Sequence, residues 1–109
     1  MRRKFLVLLA VASLTIAGIL AAQAFAATKK VSVKDNFFST SKVTIKKGQK
    51  VTWRWVRTTS DHNVTSSKGH FHSGDKSSGT YSHKFNKRGT FTVICTIHPT
   101  QMRMKVVVK

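Results

Sequence analysis

A chain of 109 residues with 20 Lys and Arg against three Asp has room for one compact domain and none for a separate catalytic module. Its formal net charge of +17 favours acidic partners, yet the basic residues are scattered along the chain rather than clustered, which sets nucleic acid aside. Cys95 is the only cysteine, so an internal disulfide is excluded.

The first 27 residues read as an export signal. Met1-Arg2-Arg3-Lys4 is basic, Phe5 through Ala22 is almost wholly apolar, and Ala24-Phe25-Ala26 supplies small residues for cleavage after Ala26 or Ala27. An apolar run of about 18 residues also reaches the shortest length that anchors a chain in a bilayer. The Arg2-Arg3 pair is similar to the start of a twin-arginine signal, and the export route stays open. Residues 28–109 are then one exported domain, periplasmic or at the cell surface, with seventeen basic residues against Asp35, Asp61 and Asp75. A domain of about 80 residues buries only around 60–65% of its unfolded surface, so its core is thin.

Short alternating segments bounded by turn residues fill this domain, and no helical stripe competes with them. Strands are predicted near 31–35, 43–47, 51–57, 62–66, 80–86, 90–96 and 102–108, with Gly48, Gly69, Gly74, Gly79 and Gly89 between them. Val51, Trp53 and Trp55 share one face, as do Phe91, Val93 and Cys95, and Met102, Met104, Val106 and Val108. Residues 66–79 are rich in Ser, Gly and Lys and read as a surface loop. The expected fold is all-β, an antiparallel Greek-key sandwich or barrel of about seven to eight short strands.

The segment Cys95-Thr96-Ile97-His98-Pro99-Thr100-Gln101-Met102 puts a thiolate, an imidazole and a thioether within eight residues at a strand end. Thiolate and thioether favour Cu(I), imidazole suits both oxidation states, and a Cys-His-His set with a weak axial Met is the blue-copper arrangement. The second histidine has four candidates: His62, His70, His72 and His83. His62 opens a strand end and suits best. His70 and His72 read as loop residues, and His83, between Tyr81 and Phe85, reads as a satisfied core histidine.

These residues, with Phe38 through Ile45, Gly48, Val51-Thr52-Trp53, His62-Asn63-Val64, Phe71-His72-Ser73-Gly74, Phe85 and Gly89-Thr90-Phe91, resemble the plastocyanin-like and amicyanin-like cupredoxins across the whole domain. The resemblance implies one type 1 copper ion held by His62, Cys95 and His98 with Met102 axial. It also implies that the backbone of Asn63 donates to the Cys95 sulfur. Three residues separate His98 from Met102, where amicyanin-like members have two and plastocyanins four; Met104, on the same face, is the rival.

The function so implied is one-electron transfer to a redox protein with an acidic surface, His98 being the exit edge. The protein is expected to act as a monomer, without nucleic acid, and its basic surface allows peripheral contact with an anionic envelope surface. The alternative is an extracytoplasmic copper-binding or delivery protein with no electron-transfer role. Catalysis by Cys95 as a nucleophile is disfavoured, because no acid orients a histidine toward it.

Overall fold

Apolar residues at every second position force strands that show one face to a core and the other to water. The computed structural model describes residues 28–109, and the expected export segment 1–27 lies outside them. Eight strands follow in order: β1 (Thr28–Lys34), β2 (Phe37–Phe38), β3 (Lys42–Ile45), β4 (Lys50–Trp55), β5 (Thr65–Ser66), β6 (Thr80–Lys84), β7 (Gly89–Ile94) and β8 (Arg103–Val108). They form two four-stranded sheets, ordered β2-β1-β4-β6 and β3-β8-β7-β5.

The expected sandwich is borne out, with one amendment to its strand directions. Each sheet contains a parallel pair, β1 with β4 and β3 with β8, beside antiparallel neighbours. Register brings the alternating rows together: Val31 opposes Trp53, Val33 opposes Trp55, and Val93 opposes Met104. These residues join Val51, Val64, Phe71, Phe85, Cys95, Met102, Val106 and Val108 in one buried cluster. The indole Nε1 of Trp53 in the first sheet donates to the Met104 sulfur in the second at 3.4 Å.

Two further differences from expectation have local causes. The short β2 follows a tight turn in which Asn36 takes a left-handed φ of 72°, and two residues are too few to register as an alternation. Of the expected strand 62–66 only Thr65–Ser66 joins a ladder, against β7. The Asn63 amide goes to the Cys95 sulfur and the Val64 amide to the Ser73 hydroxyl, so neither is free for a sheet neighbour. The loop after β5 is also less superficial than its composition implies, since Phe71 is buried and packs on Trp53 and Tyr81.

Strand directions give the sandwich two poles. The Asp35–Asn36 turn, residues 56–62 and the Cys95–Met102 loop share one. Thr28, the β3–β4 turn, the β6–β7 turn and Lys109 share the other, where Lys47 N donates to Lys109 O at 2.9 Å and Gly48 N to Phe85 O at 2.7 Å.

Phe85 closes the core near this second pole, edge-on to Phe71 and His83 and tilted against Phe91. Truncating a buried phenylalanine removes transfer energy and leaves a cavity, so Phe85→Ala costs about 3–5 kcal/mol by chemical denaturation. Phe37→Ala, at a side chain 49% exposed, costs about 1 kcal/mol or less on the same measurement.

Candidate metal centre

Cys95 follows β7 and Met102 precedes β8, so the antiparallel pair holds both ends of the loop between them. Three backbone hydrogen bonds tighten it: Cys95 N to Met102 O at 3.1 Å, His98 N to Cys95 O at 3.2 Å and Met102 N to His98 O at 2.9 Å. Cys95 and Met102 are fully buried, whereas His98 is half-buried beside Ile97, which is 44% exposed.

His62 arrives from the first sheet. Its backbone pairs in both directions with Lys76 at 2.9 Å, and its carbonyl accepts from the Trp55 indole at 3.3 Å. The ring lies 5.2 Å from that of His98, centroid to centroid. Its Nε2 stands 2.9 Å from an oxygen of Asp35; a carboxylate only accepts, so Nε2 is the donor, and the neutral tautomer this selects carries its lone pair on Nδ1. That carboxylate also accepts from the Thr59 amide at 2.9 Å and from the hydroxyls of Thr59 and Ser60. The hydrogen bond to His62, followed by those from Thr59, holds the Asp35 carboxyl far below the usual carboxylate range.

Asn63 locks the two segments together. Its amide donates to the Cys95 sulfur at 3.4 Å. Its side-chain nitrogen donates to Asp75 at 2.9 Å and to the Thr96 hydroxyl at 2.7 Å, and its oxygen accepts from the Thr65 hydroxyl at 2.7 Å and the Thr96 amide at 3.0 Å. Every donor and acceptor of this buried side chain is used.

The donors are gathered without being closed into a finished cluster: among the described residues no three His, Cys, Asp or Glu side chains stand at coordination spacing. Two ring nitrogens, Nδ1 of His62 and Nε2 of His98, are buried here with no hydrogen-bond partner. A buried polar atom left unpaired costs about 1–3 kcal/mol, and a bound metal would relieve that cost. The chemistry of the set, two imidazoles with a thiolate and a thioether, fits copper.

The structure thus brings His62, Cys95, His98 and Met102 to one pole and leaves the other histidines out. Met104, the rival to Met102, has its sulfur turned to Trp53. His70 is exposed and His72 is bonded to the Thr65 hydroxyl at 2.6 Å. His83 is only half-buried, stacked on Phe71 at 4.2 Å, and its ring makes no hydrogen bond among the described residues, so it is not the satisfied core residue its pattern suggested. Burial, and then the nearby charge of His70, lower its pKa. Asp35 and Asp75 were missed as site residues; their signal was scarcity, as two of the three carboxylates in the chain.

A carboxyl whose folded pKa is depressed adds stability above the ordinary carboxylate range and loses it as pH falls through the depressed value. Asp35→Asn, which keeps an acceptor for His62 but removes the charge, therefore shows a shallower loss of stability below about pH 4 than the parent. Denaturation midpoints across an acid series measure it. Asn63→Ala strands the Thr96 amide and costs about 1–3 kcal/mol at neutral pH.

Comparison with known proteins gives the family and the fold. The family of copper binding proteins of the plastocyanin/azurin type matches residues 26–109. Amicyanin-alpha from Methylorubrum extorquens is 39% identical over 98 residues, covering 80% of this chain and 76% of that protein. An amicyanin variant in its reduced Cu(I) form at pH 4 superposes with a TM-score of 0.65 at 32% identity, covering 75% of this chain and 82% of that one. The purple cupredoxin of Nitrosopumilus maritimus shares the fold, with a TM-score of 0.65 at 22% identity over 74% of this chain and 99% of its own. The chain belongs to the plastocyanin/azurin family of copper-binding proteins.

Proposed function

We propose that this protein is an exported one-electron carrier whose type 1 copper is held by His62, Cys95 and His98, with Met102 as the axial ligand. The observation that carries this reading is the pair of buried, unpartnered ring nitrogens on His62 and His98, whose rings lie 5.2 Å apart at the pole that also holds the fully buried thiol of Cys95. Copper bound there would cycle between Cu(I) and Cu(II) in a donor set that suits both.

The chain's own part is to hold the donors still. Asp35 orients His62 and presents its Nδ1. The Asn63 amide withdraws charge from the Cys95 sulfur, and its side chain prevents the His62 and Cys95 segments from drifting apart. Protein-held donors that move little on redox cycling keep electron exchange fast. His98, half-buried between exposed Ile97 and exposed Pro99, is the natural exit to a partner. That partner is a redox protein with an acidic surface, drawn by the chain's positive field, and the carrier works as a monomer. Export rests on the composition of residues 1–27, and the fully buried thiol of Cys95 suits a metal ligand better than an enzyme's nucleophile, which a substrate must reach.

Copper(II) added to the protein produces an intense visible thiolate-to-copper band and a matching electron paramagnetic resonance signal. Cys95→Ser abolishes both. Met102→Leu keeps the band and shifts the reduction potential by roughly tens of millivolts, as axial ligands tune such sites, whereas Met104→Leu leaves the potential close to the parent. An equal shift in both variants would remove Met102 from the axial position, and a colourless Cu(II) protein would sink the electron-carrier reading.

A further inference from the structure

The basic residues are scattered in sequence but not in space. Nine of the seventeen in the described residues gather at the pole remote from His62, Cys95 and His98. The β3–β4 turn brings Lys46, Lys47 and Lys50 there, and the β6–β7 turn brings Lys84, Lys87 and Arg88. The first residues of β1 and the last residue of β8's extension add three more lysines. All are exposed, and none is in an ion pair among the described residues.

The carboxylates do the opposite. Asp35 touches His62, Asp61 precedes it and Asp75 touches Asn63, so all three stand at the metal pole. A merely solvated surface would mix the two signs. Here the register even sets Lys50 directly opposite Lys84 across the β4–β6 pair, an arrangement that weakens a sheet and that folding alone does not call for. Both turns are tied by backbone hydrogen bonds, Gly48 N to Phe85 O and Phe85 N to Gln49 O, so the array has a fixed shape.

We propose that this cationic pole docks on an anionic phospholipid surface and holds the metal pole outward, toward soluble partners. Charge complementarity favours an anionic layer. A lipid surface is favoured over a soluble polymer because the apolar run Phe5 through Ala22, which before any cleavage is just long enough to hold the chain in a bilayer, leads into Thr28, which stands at this same pole. Attraction of this kind fades within about one Debye length, so contact is peripheral and reversible by salt. The proposal does not depend on what the metal site does.

The test uses copper-loaded residues 28–109, which contain both sheets and the whole core cluster, sedimented with vesicles. Vesicles of phosphatidylcholine with about one-third phosphatidylglycerol are expected to retain the protein at low salt, and pure phosphatidylcholine vesicles are not. Replacing Lys46, Lys47, Lys87 and Arg88 by Gln lowers the partition coefficient by roughly tenfold or more, whereas replacing Lys34, Lys42, Arg54 and Arg57 by Gln, the same loss of net charge elsewhere, lowers it by about threefold or less. Circular dichroism and the denaturation midpoint certify that both variants are folded. Equal losses in the two variants would overturn the proposal, as would retention that ignores salt. Tighter binding to soluble poly(glycerol phosphate) than to the vesicles would overturn a lipid as the partner.

Discussion

The joining of the His62 and Cys95 segments depends on the five hydrogen bonds of Asn63. One residue with no solvent exposure binds the sulfur of Cys95, the amide and hydroxyl of Thr96, the hydroxyl of Thr65 and the carboxylate of Asp75. Burying an amide side chain is favourable only when its polar atoms are satisfied, and here they are satisfied by segments far apart in sequence. His62 comes before it and Cys95 thirty-two positions after it, so a single satisfied side chain sets the separation of the two proposed metal donors. That arrangement also explains why the segment around His62 abandons the ladder: its backbone groups are needed at the site.

The way charge is distributed follows the same logic. A chain with three carboxylates cannot neutralise its surface and instead uses two of them inside hydrogen-bond networks at the metal pole. Asp35 sets the tautomer of His62, and Asp75 completes Asn63. Bonds to a charged group are the stronger ones, so the scarce anions are spent where geometry matters and the cations are left to face solvent and partners.

Much of this was legible in the sequence wherever period two was long enough to read. The rows Val51-Trp53-Trp55 and Met102-Met104-Val106-Val108 face inward as their alternation implies, and the loop from Cys95 to Met102 sits at a strand end as its spacing implies. The choice of His62 among four histidines rests on its place at a strand end after the Asp61 turn, and the family resemblance implies the same residue. Scarcity marks Asp35 as a residue to watch, but its partner was out of reach: it lies 27 positions before His62, and the contact exists only because β1 runs parallel to β4 and delivers its final turn to the end where Trp55 and His62 lie. The parallel pairs themselves were invisible for the same reason, since pairing direction depends on how the chain crosses between sheets and leaves no mark on residue spacing.

That parallel pairing has a mechanical consequence. β1 and β4 are matched at six positions from Thr28 with Lys50 to Val33 with Trp55, and β1 enters from the end opposite the metal donors. A tether at Thr28 and a load applied at the far end pull along the strand axis, so the hydrogen bonds between β1 and β4 bear the force side by side and must break together. A hairpin pulled open at one end would instead give way one pair at a time. Held from its amino-terminal end, the domain resists tension in its stronger direction.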